Sequence, residues 1–186
     1  MIYRRAVFLV LCISVLSMTA CTGKKKADTR VAALFGSKTV KKSGEEILKG
    51  LSTATVEAYR IGDRTLTDAE RKAGKTKHIN WFPILSGPVK VTQKQQERVI
   101  RVLNDPKTYR FNSAKACKFN PGVALRFKDK EITTDLIFCF KCKEFRITIN
   151  DQRANSEDFD GAYGELVALV KELFPKDKAI QGLKEK

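Results

Sequence analysis

Apolar and polar residues alternate most regularly in the second half of the chain. Val123, Leu125 and Phe127 alternate with Ala124, Arg126 and Lys128. Ile132, Thr134, Leu136, Phe138 and Phe140 continue with the same period of two, the signature of a half-buried strand. A two-residue turn at Asp129-Lys130 would set Phe127 opposite Ile132, Val123 opposite Leu136 and Lys128 opposite Glu131, with Asp135 diagonal to Arg126. A third strand, Phe145-Ile147-Ile149, then faces back, pairing Phe140 with Phe145 and Phe138 with Ile147. All three strands agree on one buried face, with Arg126 on the other. A closing helix is predicted from Phe159, Tyr163, Leu166, Val167, Val170, Leu173 and Phe174, which recur at steps of three and four until Pro175.

The first half is less regular. Residues 45–51 suit a short helix, and 55–61 are rich in strand formers. Residues 62–77 read as a polar loop. Trp81, Phe82, Ile84 and Leu85 form an apolar stretch broken by Pro83 and closed by Gly87-Pro88. A helix should start after Thr92, whose Gln95 partner completes a capping box. Val99, Ile100 and Leu103 form its stripe, and Asn104-Asp105-Pro106 stops it. The fold class is α+β: an antiparallel β-meander with helices packed on one face.

The N-terminus has a different character. Arg4 and Arg5 precede an apolar run from 6 to 16, interrupted only by Ser14, and small residues follow at Ser17-Met18-Thr19-Ala20. These are the parts of a secretory signal. Such an eleven-residue run spans roughly 16 Å as a helix, about half of what a bilayer requires. Met18-Thr19-Ala20-Cys21 resembles the lipobox of bacterial lipoproteins, with Met18 where leucine is usual. That resemblance implies cleavage before Cys21 and a lipid on its sulfur. Residues 1–20 are then a signal peptide, 21–43 a lysine-rich tether, and 44–186 a single domain outside the cytoplasm. Thr22 is not acidic, which favours the outer membrane where acidic residues signal inner-membrane retention.

Charge adds a partner class. The formal net charge is +15, and removal of Arg4 and Arg5 leaves +13. Lys24-Lys25-Lys26 directly follows the expected anchor, where basic residues meet anionic head groups. The membrane is the first expected partner, and anionic lipid or polysaccharide the second. No zinc-finger or ribonucleoprotein motif points to nucleic acid, and no protein partner is specified.

Chemistry is confined to a few residues. Of the five cysteines, Cys12 leaves with the signal and Cys21 takes the lipid, so Cys117, Cys139 and Cys142 remain. Four readings compete: a structural disulfide with one spare thiol, three buried reduced cysteines, a metal site, and a redox C-x-x-C. Cys117 and Cys142 share one end of the sheet by register, which leaves Cys139 spare. Bonding within Cys139-Phe140-Lys141-Cys142 requires a turn, because three extended residues span about 10 Å. A zinc site would need all three thiolates and His78, the single histidine. One histidine excludes multi-histidine metal sites. Residues 117–142, through Cys117-x-Phe119-x-Pro121-Gly122 and Cys139-Phe140-x-Cys142, resemble an uncharacterised family of small secreted bacterial proteins without an assigned activity. The expected function is a cell-envelope lipoprotein with a non-catalytic binding or structural domain and no cofactor. The alternative is a thiol–disulfide or metal-binding protein using the cysteines.

Overall fold

The computed structural model describes residues 50–109 and 115–185. The signal, Cys21, the tether and most of the helix expected at 45–51 lie outside the described residues. Residues 50–53 form a helical turn that leads into β1 (Thr55–Ile61). Six further strands follow: β2 (His78–Ile79), β3 (Phe82–Lys90), β4 (Val123–Asp129), β5 (Ile132–Cys139), β6 (Glu144–Ile149) and β7 (Gln152–Asp158). They form one antiparallel sheet in the order β2-β3-β1-β4-β5-β6-β7. The meander read from the sequence is the β4-β5-β6 centre, extended on one side by β7 and on the other by β1 and a hairpin.

The register differs from the expected one. Asp129 pairs with Ile132, so the turn is Lys130-Glu131 rather than Asp129-Lys130. Lys130 takes the left-handed conformation (φ 50°) that a tight hairpin demands. Phe127 therefore faces Thr134, and Val123 faces Phe138. On the next pair, Phe138 faces Phe145 and Leu136 faces Ile147. Partners have moved by two residues, which preserves the side each residue faces. Phe127, Phe138 and Phe145 are accordingly all buried.

Helices close the main core. After α1 (Asp68–Lys72) come α2 (Gln93–Asn104), α3 (Tyr163–Leu173) and α4 (Lys178–Gln181). The expected capping box starts α2: Thr92 Oγ1 accepts from Gln95 N–H at 3.4 Å, and Gln95 Oε1 accepts from Thr92 N–H at 3.0 Å. Val99, Val102 and Leu103 of α2 and Leu166, Val167 and Val170 of α3 belong to the same apolar cluster as Val123, Leu125 and Phe127. Phe138, Phe140, Phe145, Phe159 and Tyr163 form a continuous aromatic group with ring centroids 5.7–6.3 Å apart. Gln96 is buried because its amide donates to the carbonyls of Leu51, Ser52 and Ala54, satisfying the end of the preceding helical turn.

Two expectations fail here, and one face of the sheet holds more than its sequence shows. Residues 62–77 contain α1, held by a capping box between Thr67 and Glu70. The stretch around Trp81 is the β2–β3 hairpin, with Pro83 paired to His78 on a short outer strand. The face carrying Arg126 is not simply solvated. Ala124 and Ile137 there are buried with Tyr59, Ile61, Ile79 and Phe82 in a second cluster, because the hairpin covers that end of the face.

Candidate functional site

The second face of the sheet is a small apolar cluster bordered by paired charges. Asn80, in the hairpin turn, donates its amide to the carbonyl of Asp151 at 2.8 Å, tying the hairpin tip to the β6–β7 turn. Phe119 joins the cluster, 6.2 Å from Phe82 between ring centroids. Arg126 on β4 lies directly opposite Asp135 on β5, and its Nε and Nη2 donate to the two carboxylate oxygens at 2.7 and 2.8 Å. This bidentate arrangement fits the guanidinium fork to a carboxylate. Asp135 has no exposed surface, and burial raises its pKa in spite of Arg126.

Neighbouring groups extend the polar strip. Lys128 donates to Glu57 at 2.8 Å, and Tyr59 donates to the same carboxylate at 2.6 Å. The bond from Lys128, then that from Tyr59, lowers the Glu57 pKa. Burial and the bond to Glu57 push the Tyr59 phenol up to about 12. Arg146 stacks over Phe119 with its guanidinium carbon 3.7 Å from the ring centroid. Burial, then the charge of Arg153, lowers the Arg146 pKa. An open groove of about 590 Å³ adjoins the strip at Glu57 and is lined by Thr55, Pro88, Lys90 and Gln93 among others.

The cysteines gather at the β5–β6 turn. Cys117 and Cys142 form a disulfide, with 2.04 Å between sulfurs and 5.8 Å between α-carbons. This is the pair placed at one end of the sheet by the sequence, although the register used there was displaced. Lys115 holds the incoming segment by donating to the carbonyl of Cys142 at 3.1 Å and pairing with Asp158 and Asp160. Residues 140–143 form the turn, so Cys139 ends a strand while Cys142 lies in the loop. The sequence carries the strand through Phe140, whereas the turn begins there: Phe140 is buried in the aromatic group and Lys143 takes the left-handed conformation (φ 54°). Cys139 is the free thiol, fully buried, and its Sγ accepts from Cys142 N–H at 3.4 Å.

His78 sits on β2, half-buried, with Nδ1 3.0 Å from the carbonyl oxygen of Thr76. Among the described residues no three His, Cys, Asp or Glu side chains gather as a metal site, so Cys117, Cys139, Cys142 and His78 do not converge on one. The disulfide also consumes two of the thiolates that such a site needs. Among the described residues no helix is long and apolar enough to cross a membrane. Compared with known proteins, the chain matches no family model, no curated protein and no solved structure.

Sequence reasoning missed the Arg146–Phe119 stack and the Asn80 tie, since both depend on loops crossing the second face. Asp135 carried a readable signal. It is a carboxylate directly before the apolar run Leu136-Ile137-Phe138, and a buried residue of this kind requires a partner.

Proposed function

We propose that this chain is a lipoprotein of the bacterial cell envelope, anchored through Cys21, with a non-catalytic binding or structural domain held outside the cytoplasm. The observation that carries the reading is the Cys117–Cys142 disulfide. Such bonds persist in oxidising compartments and are rare in the cytosol. It agrees with a signal whose apolar run ends just before Cys21. A tether bearing Lys24-Lys25-Lys26 adds attraction to anionic head groups at about 1 kcal/mol per residue. The +13 charge of the mature chain favours anionic lipid or polysaccharide as the bound partner. Two-signal anchoring of this kind gives stable attachment where a single acyl chain gives only marginal binding. Expression in a lipoprotein-competent bacterium tests the anchor. Wild-type protein should enter the detergent phase, and Cys21→Ala should move it to the aqueous phase. Wild-type protein in the aqueous phase contradicts the proposal.

A further inference from the structure

A thiol, a disulfide and a turn meet at the β5–β6 loop, and together they form more than a structural clasp. Cys139 ends β5 and Cys142 follows after only two residues, in the turn that reverses the chain. Tight turns bring residues three apart to within about 7 Å between α-carbons, which is inside the reach of a disulfide. The contact from Cys142 N–H to Cys139 Sγ, at 3.4 Å, places that sulfur against the backbone of the very residue whose sulfur is already bonded.

We propose that Cys139 is the internal nucleophile of a thiol–disulfide exchange that moves the bond from Cys117–Cys142 to Cys139–Cys142. The deprotonated Cys139 sulfur attacks the Cys142 sulfur. A Cys139–Cys142 bond forms as the Cys142–Cys117 bond breaks, and the electron pair leaves on the Cys117 sulfur. Cys117 then takes from water the proton that Cys139 released. One disulfide and one thiol stand on each side of the step, so no oxidant or reductant is consumed.

The exchange changes which thiol the surroundings can reach. Cys139 has no exposed surface, whereas Cys117 is half-exposed between exposed Ala116 and Lys118. The shift therefore converts a sealed thiol into an accessible one, able to form a mixed disulfide with a partner protein's cysteine. It also removes the covalent tie between the segment around Cys117 and the β5–β6 turn, leaving the Lys115 contacts and the packing of Phe119 to hold it.

The full chain as the cell produces it, extracted in detergent, supplies the test. Cys117→Ser treated with oxidised glutathione should carry a Cys139–Cys142 linked peptide and no free thiol at either position. Two alkylatable thiols, or a lasting glutathione adduct on Cys142, would overturn the proposal. Wild-type protein gives a second reading if that variant does not fold. Native alkylation with iodoacetamide in mildly alkaline buffer should label Cys117 and leave Cys139 bonded to Cys142. Label confined to Cys139, or none on Cys117, overturns it. Cys139→Ser should lose the Cys117 label, and persistence of that label equally overturns the assignment.

Discussion

Replacing Arg126 with alanine removes both hydrogen bonds to Asp135 and leaves a carboxylate that has no exposed surface. The side chain of Thr148 offers that carboxylate only a long contact at 3.5 Å. Hydrogen bonds to a charged group contribute about 1.5–3 kcal/mol each, and breaking a buried ion pair by deleting one partner costs about 3–5 kcal/mol. Arg126→Ala should therefore lose about 3–5 kcal/mol at neutral pH, measured by urea unfolding with far-UV circular dichroism. The sign of its pH dependence follows from Asp135. Its folded pKa is raised above the ordinary 3.8, chiefly by burial, so the folded state holds the proton more tightly than the unfolded chain. Below 3.8 both states are protonated and the penalty vanishes; it grows as pH rises through the raised folded value. Loss of Arg126 raises that value further, so the gap between variant and wild type should narrow as the solution is acidified. Arg126→Met with Asp135→Leu should recover most of the loss, since apolar replacement of a buried pair is often neutral or stabilising. A cost below about 1 kcal/mol, the range of exposed ion pairs, combined with no pH dependence would refute the buried-pair account.

Two other substitutions test the packing. Phe138→Ala opens the aromatic group and should cost about 3–5 kcal/mol by the same unfolding assay, whereas Leu85→Ala, at a side chain 63% exposed, should fall within about 0.5 kcal/mol of wild type. Similar costs at the two positions would mean that the core is misassigned. Gly161→Ala drives a methyl group into the carbonyl oxygen of Lys107, where two short helical turns meet backbone to backbone. It should destabilise by about 1–3 kcal/mol, and an unchanged unfolding midpoint would show that this approach is not close.

Period-two alternation made β4, β5 and β6 legible because each packs one apolar face against helices, and parity survives a displacement of partners. The register was less legible. Choosing Lys130-Glu131 over Asp129-Lys130 depends on which residue accepts a left-handed backbone, and lysine does not advertise that. Strand β7, Gln-Arg-Ala-Asn-Ser-Glu-Asp, carries almost no apolar signal because it is an edge strand whose backbone pairing, not its side chains, holds it. Helix α1 was readable in principle. Thr67 and Glu70 repeat the spacing of Thr92 and Gln95, but no apolar stripe follows to mark the helix behind the cap. Among the candidate site residues, Cys117 and Cys142 could be placed together because both bracket the same end of the meander. The burial of the Arg126–Asp135 pair was not legible, since the face that carries it is partly covered by Ile79 and Phe82 of the β2–β3 hairpin, more than forty positions upstream of Arg126.

Intact mass measurement of detergent-extracted protein tests the central claim most directly. An envelope lipoprotein should begin at Cys21, carry the mass of its acyl chains, and yield a Cys117–Cys142 linked peptide before reduction. A protein that still bears residues 1–20, with no acyl mass on Cys21, would contradict the account.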